Sequence, residues 1–310
     1  MLTLTPSPYR GEQDLAALQD VLRAGLQFNP RLNYMHPGDV EWWFYYNPGL
    51  LPPEHTVTLW RTQAGDLAAW LLLDTEHRDF TFFVHPTYRT EAIFDHLLNW
   101  INAECLKSPS EEAKMTCEGC MRADALYHSA LERAGYTPSP SMVMFEQSLT
   151  EPRPTPTLPE GFRFLERMEE PYIESRANAH YSAFTRARPS KMTPELYRLF
   201  MTAPGYDPTL DISIVNAQDE VVAFAMAWFD PITQRAEFEP VGTHKAYQRR
   251  GLGRAALLEG LRRLRARGMT IANVATHVKD EGNVAFYPSA GFEIVGYSDE
   301  YEKPIEGTAQ

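Results

Sequence analysis

Cysteine is scarce: the 310-residue chain has three, Cys105, Cys117 and Cys120. That is an odd number, too small to frame a disulfide-stabilised fold. Cys117-Glu118-Gly119-Cys120 has the spacing of a metal or redox pair, but a structural zinc site needs four ligands and no second pair of cysteines completes it. The plain reading is two reduced thiols at the end of a strand, with no metal. Long apolar runs are also missing. Stretches such as Leu67 to Leu73 fall far short of the ~20 residues that span a bilayer. The first residues lack the basic flank and apolar core of a signal peptide, so a cytoplasmic location is expected and no membrane partner. Positive charge is in deficit, 29 Lys and Arg against 41 Asp and Glu, for a net charge of −12. This disfavours sequence-independent binding to nucleic acid and makes a cationic or amine-bearing small partner electrostatically easier.

What is present concentrates between Glu237 and Phe292. Gln248-Arg249-Arg250-Gly251-Leu252-Gly253-Arg254 places two glycines at a helix start, where backbone N–H groups without helical partners can point at an anion. Before it, Ala236 to Thr243 reads as a strand in which Pro240 removes a ladder donor, predicting a bulge or splayed edge. After it, Leu257, Leu258, Leu261 and Leu264 recur at helical spacing with Arg262, Arg263, Arg265 and Arg267 between them, an amphipathic helix with a solvated basic face that Gly268 stops. Thr270 to Val278 reads as a strand, Asn283 to Tyr287 as a short helix, and Gly291-Phe292 enters a last strand.

Gly251-Leu252-Gly253-Arg254-Ala255-Ala256 also satisfies Gly-x-Gly-x-x-Ala. A dinucleotide site, however, wants the glycines directly after the strand and a carboxylate about 20 residues on. Here His244 to Arg250 intervene and the next strand ends in Ala275-Thr276-His277. A P-loop is excluded because no Lys-Ser or Lys-Thr follows the glycines.

These residues resemble the GNAT superfamily of acyl-CoA-dependent N-acetyltransferases. Gln248, Gly251 and Gly253 match its loop, Gln/Arg-x-x-Gly-x-Gly/Ala, and Asn283, Tyr287, Gly291 and Phe292 match its later signature. The resemblance implies an enzyme that uses acetyl-CoA as co-substrate. Loop residues Gln248, Arg249, Arg250, Gly251, Leu252, Gly253 and Arg254 would hold the pyrophosphate, Val241 and Thr243 on the splayed strand would hold the pantetheine arm, Asn283 would hydrogen-bond the pantetheine or phosphate arm, and Tyr287 would protonate the leaving thiolate. A strand carboxylate, Glu239 or Glu237, or else water, would take the amine proton.

The rest of the chain repeats this order. Gly11 to Leu26 carries apolar residues at helical spacing, and the aromatic cluster Glu41 to Tyr46 is expected to be a second helix docking on a sheet. Strands are expected at 2–4, Val57 to Arg61, Leu67 to Leu73, Phe80 to Val84, Met115 to Cys117 and Met142 to Gln147, and helices at Ala92 to Ile101 and Ala123 to Arg133. Val84 to Arg89 corresponds to Val241 to Gln248, and Tyr127 to Tyr136 corresponds to Tyr287 to Phe292. The first copy has no glycine loop; Glu91 and bulky neighbours would repel and crowd a pyrophosphate. Four prolines between Pro152 and Pro159 make an extended linker. In the second copy, Thr193 should cap a helix starting at Pro194, and 212–215 with 221–229 should form a hairpin.

The expected fold is therefore α/β, two tandem GNAT-like domains, each a mixed, mostly antiparallel sheet flanked by helices. Residues 1–150 would be a degenerate GNAT-like domain and residues 160–310 the domain carrying the acyl-CoA site. Length and layout are similar to those of the mycothiol synthases, though no residue identified here encodes their substrate. The expected reaction is transfer of acetyl to a primary amine of a small molecule by direct attack, since the second half has no cysteine to form a covalent intermediate. The alternative is a non-catalytic acyl-CoA-binding sensor or scaffold.

Overall fold

The computed structural model describes residues 4–31, 34–46, 52–107, 110–152, 154–185 and 189–305. Most of the strand expected at 2–4 lies outside them, as does Arg153 of the expected linker. The first half runs β1 (Thr5–Pro8), α1 (Glu12–Phe28), α2 (Asp39–Tyr46), α3 (Pro53–Thr56), β2 (Val57–Arg61), β3 (Leu67–Asp74), β4 (Asp79–Val84), α4 (Glu91–Cys105), β5 (Lys114–Met121), α5 (Ala125–Arg133) and β6 (Thr137–Ser148). The second runs β7 (Arg163–Phe164), α6 (Ile173–Phe184), α7 (Pro194–Phe200), β8 (Asp211–Val215), β9 (Val221–Asp230), β10 (Arg235–Thr243), α8 (Leu252–Ala266), β11 (Ile271–His277), α9 (Glu281–Ser289) and β12 (Glu293–Pro304). No helix among the described residues is long and apolar enough to cross a membrane.

Local chemistry accounts for many of these boundaries. Thr193 Oγ1 accepts from Leu196 N at 3.2 Å and starts α7 at Pro194, as its sequence predicts. α1 buries Leu15, Leu18, Val21, Leu22 and Leu26, the apolar stripe read from their spacing. Gly268, at φ 83°, follows the end of α8. The basic face of α8 is less solvated than its pattern suggests. Arg262 and Arg263 both pair with Glu259, and Arg263 also donates to the carbonyls of Leu165, Glu166 and Thr209. Arg267 pairs with Asp207. Two of the four arginines thus pin α8 to neighbouring loops rather than facing water.

The strands form one 12-stranded sheet in the order β1-β2-β3-β4-β5-β12-β6-β11-β10-β9-β8-β7. Among the described residues only β4–β5 and β10–β11 are parallel pairs. The α/β class and mostly antiparallel sheet are those expected, but the halves are joined by an exchange. The last strand of the first half, β6, pairs with β11 of the second, and the last strand of the second, β12, pairs with β5 of the first. The two exchanged strands pair with each other at the centre, Ile294 opposite Phe145 and Tyr297 opposite Val143.

α2 ties the halves together a second time. Trp42 is buried in a core cluster otherwise made by the second half, 4.9 Å from Phe200 ring to ring. Around it, Arg23 pairs with Asp230 at 3.2 Å, Glu41 accepts from Gly205 N at 2.5 Å, and His36 Nε2 donates to Arg235 O at 3.1 Å. His36 Nδ1 accepts from Gly38 N, which requires a neutral ring, and burial pushes its pKa down to about 4. The aromatic helix does dock on a sheet, but a good part of that surface belongs to the other half.

Candidate active site

The site is built on the break in β10. The β9–β10 ladder shifts register between Phe238 and Val241, around Pro240, and pairing with β11 is confined to Arg235–Glu237. Pro240 has no N–H to donate, so the β9–β10 ladder is interrupted there and resumes at Val241 opposite Ala225, while β10 and β11 part after Glu237. Beside the break lies a cleft of about 530 Å³. Val241 and Thr243 line it from β10, Gln248, Arg249, Gly251, Leu252, Gly253 and Arg254 from the loop and the start of α8, and Asn283 and Tyr287 from α9.

The loop is shaped to offer amides. Arg249 and Gly251 both take left-handed conformations, φ 61° and 79°. Ala255 N makes the bond to Gly251 O that opens α8, so the preceding N–H groups have no helical carbonyl to bond. A Cβ on Gly251 would meet nothing within 4 Å, so its constraint is backbone angle and open approach. A Cβ on Gly253 would meet Thr243 Oγ1 at 2.8 Å. Gln248 Nε2 donates to Thr243 O at 3.3 Å and Arg254 Nε to Ser289 O at 3.0 Å, tying the loop to both walls. Arg250 does not line the cleft. It sits 5.2 Å over the Tyr247 ring and borders an outer groove walled by linker prolines 154, 156 and 159.

α9 is fixed by Asp280, which accepts from both Asn283 N and Asn283 Nδ2 at 3.1 Å; Nδ2 also reaches Thr276 Oγ1 at 3.3 Å. One turn on, Tyr287 is 5% exposed and packs against Phe145, Phe286 and Phe292. Burial, reinforced by the charges of Glu239 and Asp280, raises its pKa, so the phenol stays protonated.

Along β10, Phe238 packs into the core under α8, so Glu237 and Glu239 share the opposite face. Glu237 is buried and Glu239 half-buried. Burial raises both carboxyls, and the Glu239 charge adds to the rise at Glu237, which Arg235 opposes. The sequence gives no hint of a third group on this face. Asp39, at the start of α2, is 6% exposed, its carboxyl raised by burial and then by Glu239 and Glu237. Sequence reasoning also misses the cleft walls Ala183, Phe184 and Phe286. His244 and His277 each use Nδ1 to accept from a backbone N–H two residues on, at 3.2 Å, as turn-forming residues do.

These residues fit an acyl-CoA. Gly251, Leu252 and Gly253 line the cleft with nothing within 4 Å of a Cβ at Gly251, and β10 is unpaired with β11 beyond Glu237, which leaves backbone groups for an extended arm. The first half shows what loss of that fit looks like. His85 and His244 hold equivalent turns, with Tyr88 N and Tyr247 N each donating to the His carbonyl at 2.8 Å. The next helix then begins after Thr90, two residues sooner than α8, and the β3–β4 ladder runs from Ala69–Val84 to Asp74–Asp79 without a shift. Arg89 pairs with Asp124, and Tyr127 packs on Phe82 and Phe94. The equivalent cavity is about 20 Å³. The correspondence read from the sequence needs one correction. Asp124 caps Tyr127 N as Asp280 caps Asn283 N, so Tyr127 stands in the place of Asn283 and not of Tyr287.

Residues 173–292 match the family described as Acetyltransferase (GNAT) family. No curated protein sequence matches the chain. Among solved structures, the chain is similar to a GCN5-related N-acetyltransferase from Sphaerobacter thermophilus, with 19% identity over 99% of this chain and 98% of that one and a TM-score of 0.66. It is similar also to a tandem GNAT protein from the clavulanic acid biosynthesis pathway, at 15% identity over 100% and 99% and the same TM-score. A glucosamine N-acetyltransferase region of a fungal multi-domain β-N-acetylglucosaminidase aligns over 98% of this chain and 38% of that one, at 14% identity and TM-score 0.58. At these identities the likeness concerns the fold.

Proposed function

We propose that this chain, whose residues 173–292 match the acetyltransferase (GNAT) family, moves an acetyl group from acetyl-CoA to a primary amine of a small molecule in a ternary complex. The observation that carries the reading is the placement of Tyr287 and Glu239. Tyr287 lines the cleft, and Glu239, although it does not line the cleft, stands next to Pro240 at the break in β10 that borders it. Acetyl-CoA, when bound, supplies an acyl thioester. Loop amides from Gly251 to Gly253 hold its phosphates, Val241 and Thr243 border its arm, and Asn283, fixed by Asp280, orients it.

Glu239, half-buried and lifted towards neutrality, takes the proton of the attacking amine directly or through water, with Glu237 as the alternative base. Tyr287, held protonated, gives its proton to the departing sulfur. The second half contains no cysteine, which leaves direct attack as the simplest course. The first half, with its filled cavity, supports the second without holding acyl-CoA. The test is release of free thiol from acetyl-CoA across a panel of small primary amines. Acceptor-dependent release is expected. Binding of acetyl-CoA with no acceptor-dependent release would instead identify a sensor.

A further inference from the structure

A separate cavity of about 360 Å³ is lined by Glu146 of β6, Asn273 of β11 and Arg235 of β10, together with Arg31 from the segment after α1. Phe145, Ala272 and Ala236 face the core under α8, so strand alternation turns Glu146, Asn273, Arg235 and Glu237 to the other side of the sheet. Glu146, Asn273 and Glu237 are register partners, which sets Asn273 beside Glu237. Apolar walls such as Met121 and Met144, with four polar side chains among them, are the make-up of a small-molecule pocket. Two of those polar groups are unsatisfied. Asn273 is 4% exposed and Arg235 8%, yet Asn273 Oδ1 and Arg235 Nε have no hydrogen-bond partner among the described residues. Asn273 Nδ2 donates to Phe145 O at 3.5 Å and Arg235 Nη2 donates to Glu146, so each side chain is held with one polar atom bare. Such atoms are costly to bury unpaired. Glu146 balances one of the two arginines; Arg31, which is exposed, pairs with no carboxylate among the described residues. The pocket therefore asks for a group that brings negative charge, accepts from Arg235 Nε and donates to Asn273 Oδ1. A carboxylate with an ammonium on the adjacent carbon does all three.

We propose that this cavity receives the α-amino acid end of the acceptor, so that the substrates are amino acids carrying a second amine on the side chain. This rests on the acetyl-transfer reading above. The carboxylate accepts from Arg235 Nε with Arg31 adding charge, and the α-ammonium donates to Asn273 Oδ1. Asn273 is level with Glu237, two residues or about 7 Å along β10 from Glu239. A four-carbon side chain covers that distance and brings its terminal amine to Glu239. There the nitrogen attacks the thioester carbonyl and gives up its proton to Glu239; the C–S bond breaks and the sulfur takes the Tyr287 proton, leaving a side-chain N-acetyl amino acid and CoA.

The test compares L-lysine with 1,5-diaminopentane, which is lysine without its carboxylate, by calorimetric titration of the protein mixed with CoA and by steady-state kinetics at saturating acetyl-CoA. Lysine should show kcat/KM at least about tenfold above the diamine, with acetyl on its side-chain nitrogen by fragmentation mass spectrometry. Asn273→Leu and Arg31→Gln should each weaken lysine binding by about fivefold or more while acetyl-CoA affinity and handling of the diamine stay the same. Arg31 is exposed, so its variant serves if Asn273→Leu does not fold. Equal handling of lysine and the diamine, lysine binding unchanged in both variants, or acetylation on the α nitrogen overturns the inference and leaves acetyl transfer standing. Lysine binding that both variants weaken, without turnover of either amine, would refute acetyl transfer and support the pocket; no lysine binding would refute the pocket.

Discussion

Leu131 stands in the first half where Tyr287 stands in the second. Tyr136 N donates to Leu131 O at 3.0 Å just as Phe292 N donates to Tyr287 O at 3.2 Å, each across a glycine of positive φ, Gly135 or Gly291. The first half has therefore lost the phenol, the bulge and the glycine loop, and Tyr127 fills the space that Asn283 borders in the second.

One acyl-CoA should bind per chain. Calorimetric titration with acetyl-CoA is expected to give a stoichiometry near one; a value near two would mean that the cavity under Tyr127 opens.

Gly251→Ala and Gly253→Val should each weaken acetyl-CoA binding by about tenfold or more, for different reasons. At Gly251 the left-handed backbone resists a side chain, costing about 1 kcal/mol of stability as well. At Gly253 the side chain meets Thr243 Oγ1. Affinities equal to wild type in both variants would remove the loop from the binding site.

Features set within a few residues are legible in the sequence. The Thr193 cap, the stop at Gly268 and the disrupted ladder at Pro240 each follow from one residue's backbone or side-chain chemistry. The strand exchange is not legible, because nothing local decides whether Phe145 lies beside β5 or β11. Asp39 is hidden for the same reason: only the docking of α2 brings it to Glu237. The helical pattern of α8 correctly puts Arg263 on its polar side, but the carbonyls of Leu165, Glu166 and Thr209 that it binds come from distant loops.

Tyr287→Phe keeps the ring packing against Phe145 and Phe292 and removes only the hydroxyl. Its kcat should fall by about a hundredfold, with acetyl-CoA affinity and Tm little changed. An unaltered kcat under conditions where chemistry limits turnover would take the acid role from Tyr287.

The buried carboxyls make stability depend on pH. Folding raises the pKa of Glu237 and Asp39 above their unfolded values, so their neutral forms favour the folded state; that contribution is complete below the unfolded carboxyl range and is lost as pH rises through the folded values. Glu237→Gln, neutral at every pH, should raise Tm relative to wild type more at pH about 8.5 than at pH about 5. His36 acts oppositely: with its folded pKa at about 4, its contribution is present above the ordinary histidine value and is lost as pH falls through that window. A Glu237→Gln melting difference that is constant with pH would show that Glu237 is hydrated in the folded protein.

The most direct measurement is mass spectrometry of a small-amine library incubated with the protein and acetyl-CoA, read alongside free thiol. Acetyl transfer through the second-half cleft requires an N-acetylated amine formed in step with released thiol by the wild type, and neither product from a Gly251→Ala/Gly253→Val double variant that still folds. Thiol released without any acetylated amine, or acetylated amine formed equally by the double variant, would contradict it.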